Sequence, residues 1–245
     1  MSKLYRCNCM PSRAARIAAC LLSVSALFSG VVLAEDLQPF EVSYSWIWGG
    51  VTVALSTLTL AHRDDDKWTY SSANEPRGLG KLYPMRPKMQ STMRITDQNV
   101  QPLSFLATGG GAAHDADVSF DWDAGRATGV YEDAKVDLPL KPGIQDDLSV
   151  QIAMLVQMLH GKTPENLSMI DKNTVREYQY RREGQETITT PLGRIDAIIY
   201  SSQHPGSPRI TRYWCAPSKG YLPMRVEQKR LDSVEWTLEI QSLKH

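Results

Sequence analysis

Cysteine is scarce in this chain, with four in 245 residues, which excludes a disulfide scaffold. Net charge is missing as well: 27 Lys and Arg balance 27 Asp and Glu. Without a basic excess there is no electrostatic case for nucleic acid, whose binding draws on released phosphate counterions. The balance is uneven along the chain. Lys3, Arg6, Arg13 and Arg16 stand in the first 34 residues with no acid, so residues 35–245 carry 23 basic against 27 acidic groups, a net of −4. Repeats of fixed period, low-complexity linkers and shifts of composition are also lacking, which leaves no basis for dividing residues 35–245.

One long apolar run is present, and it lies at the amino terminus. Residues 1–16 are basic, residues 17–33 are apolar or small, and Val32-Leu33-Ala34 has the form of a signal-peptidase site. We read residues 1–34 as a secretory signal peptide cleaved after Ala34 and residues 35–245 as one periplasmic β-rich domain. A retained membrane helix fits less well, because the uncharged run Ile17–Ala34 holds three serines and a glycine and has no basic stop-transfer flank. Ile17-Ala18-Ala19-Cys20 resembles a lipobox, but the apolar stretch follows this cysteine instead of preceding it. Cleavage removes Cys7, Cys9 and Cys20 and leaves Cys215 alone, which is expected as a buried core residue.

From Phe40 onward, apolar residues alternate. Phe40, Val42, Tyr44, Trp46 and Trp48 fall on one face; so do Val118, Phe120 and Trp122, and again Val234, Trp236, Leu238 and Ile240. Period two marks half-buried antiparallel strands, and turn signals separate about a dozen of them. The expected fold is mainly β: a curved antiparallel sheet or open barrel around one main α-helix. That helix is expected from Asp147 to about His160, with Asp146 as its cap and Gly161 as its stop. Leu148, Ile152, Leu155 and Leu159 form one apolar stripe; Val150, Met154 and Met158 form a second, read as roughly opposite. A helix apolar on two sides is either buried on both or borders a cavity, and thioether side chains suit varied apolar ligands.

Chemical machinery is hard to find. Thr108-Gly109-Gly110-Gly111-Ala112 lacks the Lys-Ser/Thr of a phosphate-binding loop and precedes a strand. His114 with Asp115 and Asp117 has no further metal partner in sequence, and no Gly-x-Ser-x-Gly elbow exists. A Cys215 nucleophile would need His204 beside it across a Pro-Gly-Ser-Pro turn. Asp146 and Asp147 are explained by helix-end electrostatics without invoking a substrate. No catalytic residue, metal ligand or cofactor is therefore expected. Trp122, Trp214 and Trp236 read most simply as core anchors. Trp122 and Trp214, together with Val150, Met154 and Met158, are the candidate ligand-binding residues.

Several segments together resemble a bacterial family of exported proteins, domain of unknown function 3108. They are Phe120-Asp121-Trp122, Leu138-Pro139, Gln145-Asp146-Asp147-Leu148-Ser149, Thr190-Pro191-Leu192-Gly193-Arg194, Tyr213-Trp214-Cys215-Ala216-Pro217 and Tyr221-Leu222-Pro223-Met224-Arg225-Val226. The likeness spans nearly all of residues 35–245. It implies a layout similar to lipoprotein-carrier-like folds, in which an open antiparallel barrel wraps a helix and can hold an acyl chain, and it brings no catalytic residues. Two readings follow. In one, the protein is an exported, non-enzymatic carrier of a lipid-like ligand; in the other, it is a structural or interaction module for envelope assembly that contacts another envelope protein and holds no small ligand.

Overall fold

Period-two alternation becomes paired strand along most of the described chain. The structure, a computed structural model, describes residues 37–245 apart from 65, 84, 97 and 98. The expected signal peptide, with Cys7, Cys9 and Cys20, lies outside the described residues. The first half supplies β1 (Phe40–Trp48), β2 (Val51–His62), β3 (Lys67–Pro76), β4 (Lys88–Thr96), β5 (Asn99–Thr108), β6 (Ala116–Asp121), β7 (Arg126–Tyr131) and β8 (Ala134–Pro139). The two-residue β9 (Ile144–Gln145) then leads into α1 (Ser149–Leu159). After it come β10 (Asn166–Asp171), β11 (Thr174–Thr190), β12 (Gly193–Gln203), β13 (Arg209–Ala216), β14 (Leu222–Arg230) and β15 (Ser233–Lys244). The sheet thus has 15 strands where the sequence pattern suggests about a dozen. The shortfall lies in short strands such as β7, whose pairing with β6 places Ala127 and Gly129 opposite Phe120 and Val118. A side chain at Gly129 would start 2.0 Å from the Asp117 carbonyl oxygen, so the position closest to β6 cannot carry an apolar signal.

The strands run in the order β8-β7-β6-β5-β4-β3-β2-β1-β15-β14-β13-β12-β11-β10-β9. Two antiparallel meanders therefore meet at a central pairing of the first and last strands, with Glu41 opposite Lys244 and Trp46 opposite Leu238. The edge strands β8 and β9 are consecutive in sequence, separated only by residues 140–143. Four linking residues bring the two edges within about 18 Å of each other. A 15-stranded sheet meets that condition only by curling round on itself, although no hydrogen-bonded ladder joins β8 to β9. One pairing departs from the expected antiparallel pattern: β9 and β10 are parallel, because α1 forms the crossover between them.

The helix starts at Ser149, two residues later than expected, and it is buried almost all round. Asp146 holds its entry. One Asp146 carboxylate oxygen accepts hydrogen bonds from the backbone N–H of Leu148 (2.9 Å) and of Ser149 (2.8 Å), and the Ser149 hydroxyl accepts the Asp146 N–H in return at 2.8 Å. This reciprocal arrangement satisfies donors that a helix start leaves unpaired. At the far end Gly161 takes a left-handed conformation and donates to Met158. At 100° per residue the two apolar stripes lie about 130° apart, not opposite. Leu148, Ile152 and Met158 are completely enclosed, and the helix packs mainly on β5, β9 and β10.

Candidate functional site

Along one side of α1 the packing is incomplete, leaving a cavity of about 260 Å³. Val150, Gln151, Met154 and Leu155 form its helical wall, Phe40, Tyr44, Leu58 and Tyr70 close it from β1–β3, and Tyr178, Tyr180, Tyr213, Val226, Trp236 and Leu238 close it from β11 and β13–β15. Residues 150, 151, 154 and 155 share one face by helical geometry, so the cavity takes members of both sequence stripes. The face division expected from sequence is corrected here: Ile152 and Leu155 of the first stripe line the cavity, whereas Met158 does not. Met158 points in the direction of Val150 and Met154 but lies one turn further on, within the enclosed core.

The two tryptophans stand elsewhere. Trp122 packs at the edge of the core and donates its indole N–H to the Pro102 carbonyl at 2.7 Å. Trp214 is buried beneath the Arg225 guanidinium and donates to Glu186 at 3.1 Å. Neither lines this cavity. Trp236 does, with its N–H donated to Gln228, whose amide donates in turn to Thr211.

Five tyrosines give the cavity an amphipathic wall that sequence reasoning does not single out. Tyr44 donates to the Pro223 carbonyl at 2.8 Å, Tyr70 to the Gln151 side-chain oxygen at 3.3 Å, and Tyr213 lies 3.2 Å from the Ser202 hydroxyl. Tyr180 and Tyr213 stack with ring centroids 6.3 Å apart. Burial raises the pKa of Tyr44, Tyr70, Tyr180 and Tyr213, so all four phenols remain neutral hydrogen-bonding groups. Such a wall combines apolar ring faces with neutral hydroxyl groups that can hydrogen-bond. The only sequence clue is the alternate spacing of Tyr178 and Tyr180, which is also ordinary strand patterning.

Asp147 also lines the cavity and accepts a hydrogen bond from the Tyr131 hydroxyl. Its carboxyl is pushed up to about 7, chiefly by burial, with the charges of Asp146, Asp171 and Glu132 adding to the shift and the Tyr131 bond opposing it. Asp147 therefore takes no part in capping, unlike its neighbour. Cys215 is fully enclosed and burial raises its thiol pKa, while His204 stands in the β12–β13 turn with Nδ1 2.9 Å from the Glu177 carbonyl. Cys215 pairs with Ile198, about 13 Å along the ladder from the Ser202–Thr211 pair next to that turn, so the thiol and imidazole are not brought together. Among the described residues no group of three or more His, Cys, Asp or Glu is placed to hold a metal ion. No described helix is long and apolar enough to cross a membrane.

The sequence matches the family described as Protein of unknown function (DUF3108) over residues 24–238. No curated protein matches it. Among solved structures, it is similar to the β-barrel-like protein of domain of unknown function DUF1849 from Brucella abortus, with a TM-score of 0.57 and 9% identity over 85% of this chain and 98% of that one. That likeness extends to the fold. A protein with a YmcC-like fold from Bacteroides fragilis aligns over 86% of this chain and 97% of its own at 11% identity, with a TM-score of 0.36.

Proposed function

We propose that the chain, which belongs to the DUF3108 family of proteins of unknown function, is an exported, non-enzymatic binding protein of the cell envelope that carries a lipid-like molecule beside its helix. The observation that carries this reading is the cavity, walled by Val150, Met154 and Leu155 on one side and by tyrosines and leucines of both meanders on the other. Proteins pack their interiors nearly as densely as organic crystals, so an unfilled apolar space of this size between helix and sheet is a natural place for an acyl chain. The curled sheet encloses α1 and leaves the helix free to serve as one wall of the site. Export is supported by the signal-like character of residues 1–34 and by a sole remaining cysteine buried away from oxidants.

Native mass spectrometry of protein isolated from cells producing the full chain is expected to show a bound lipid mass, and an apolar fluorescent probe should bind saturably and be displaced by fatty acid. Met154→Trp, which fills the cavity from the helix side, should remove both signals and change the melting temperature by no more than a few degrees. Protein that carries no lipid and gives no saturable probe binding would reject the carrier reading. Recovery of a stoichiometric protein partner, unaffected by delipidation, would then support the assembly module.

A further inference from the structure

The β1–β2 turn, Gly49-Gly50, and the 3-10 segment Gly78–Leu82 that follows β3 expose an unusual set of side chains to water. Leu82 is 78% exposed, Leu79 63%, Trp48 61% and Tyr83 60%, with Val51 and Met85 also exposed. With Trp46, Val53 and Pro87 they line one shallow apolar groove. A contiguous exposed apolar surface of this kind marks an interaction site. It is also held in place. The Arg77 N–H donates to the Val53 carbonyl at 2.8 Å, and a side chain at Gly80 would start 1.9 Å from that same oxygen, so the segment lies directly on the β2 backbone. The Arg86 N–H donates to Gly109 at 2.9 Å, and the Pro87 carbonyl accepts from Asn74 at 3.1 Å.

Charge identifies the occupant. Between Glu75 and Asp97 the chain has no acid but carries Arg77, Lys81, Arg86, Lys88 and Arg94, within a domain whose overall balance is acidic. Arg77 and Arg94 are paired with Glu75 and Asp66. Lys81, Arg86 and Lys88 are exposed and make no ion pair among the described residues. Leucines for insertion, Trp48 and Tyr83 for the headgroup level and unpaired cations alongside are the components of an interfacial anchor on anionic lipid. We propose that this groove docks the protein on the surface of an anionic phospholipid bilayer. The Trp46 ring at the groove lies 6.0 Å from the Trp236 ring at the cavity, so docking would set the membrane beside the site of the proposed cargo.

Flotation with vesicles tests this on the protein isolated from cells. Binding to phosphatidylcholine vesicles containing phosphatidylglycerol is expected, with an affinity at least about tenfold above that for phosphatidylcholine alone and falling as salt is raised. The double substitution Leu79→Asp with Leu82→Asp should weaken binding by about tenfold or more while leaving the melting temperature unchanged, since both side chains are already in water. Lys81→Glu with Lys88→Glu should remove the preference for anionic lipid. Vesicle binding that is absent, or untouched by the leucine pair, overturns the proposal. So does a concentration-dependent dimer that the leucine pair dissolves in the absence of lipid, which would assign the groove to a second copy. Met154→Trp separates the two readings: docking predicts that the variant still binds vesicles after losing its cargo, whereas parent protein that carries no lipid yet binds vesicles leaves docking standing alone.

Discussion

Asp146→Ala is expected to lower the stability of the fold by about 3 to 6 kcal/mol, read as a shift of the denaturant midpoint with an unchanged slope. The residue is 1% exposed. Its carboxylate accepts from the backbone of Leu148 and Ser149 on one oxygen and from the Ser91 hydroxyl at 2.7 Å on the other. Truncation strands three buried donors, each at about 1 to 2 kcal/mol, two of them the backbone N–H groups whose bonds cap the helix. The loss extends beyond α1, because Ser91 belongs to β4 and the bond ties the helix entry to the opposite meander. Asp146→Asn keeps an acceptor for the two backbone donors and should recover a good part of the loss. If the alanine variant costs less than about 1 kcal/mol, the three bonds are not a structural lock.

Asp147 should make the protein more stable in mild acid than at neutral pH. Its carboxyl titrates near 7 in the folded protein and at the ordinary value of 3.8 when unfolded. Between those values the folded state binds more protons than the unfolded state, so stability falls as pH rises through the window and levels off above it. The stabilisation is fully present below about pH 4, and its loss by pH 7 to 8 amounts to at most about 4 kcal/mol. Burial pushes Asp146 in the same direction and adds to the slope. Asp147→Asn should flatten the profile between pH 4 and 7, and Tyr131→Phe should steepen it, since Tyr131 donates to the carboxylate and favours its charged form. Urea titrations at half-unit pH steps check both. A profile in the parent protein that rises over this window would contradict the assignment.

Legibility from sequence followed the length of the element and the size of its side chains. Strands such as β1, β6 and β15 are plain from alternation, and α1 is located to within two residues because its boundary residues, Asp146 and Gly161, have specific chemistry. The cavity is half legible. Val150 and Met154 reach its wall by helical period alone, but where the wall ends depends on what β1–β3 and β10–β15 present, so Met158 is assigned to the same surface one turn too far. Tyr44, Tyr70, Tyr178, Tyr180 and Tyr213 come from four different strands, and each looks locally like normal β patterning. Only the register of the sheet converges them. The segment from Arg77 to Lys88 has neither helical nor strand period, and nothing local indicates that its leucines stay in water.

The central pairing of β1 with β15 also sets an order of events during folding. Glu41 meets Lys244 across a separation of 203 residues, so the middle of the sheet can form only after the last strand exists. Until then the chain can build at most two separate ribbons, β1–β8 and β9–β14, each with an uncovered edge where β15 will insert. Closing so long a loop costs entropy before any contact compensates, which places this topology among the slow folders of high contact order. The carboxy-terminal strand therefore acts as a seam, and the half-folded ribbons awaiting it are the species most exposed to mispairing with other chains.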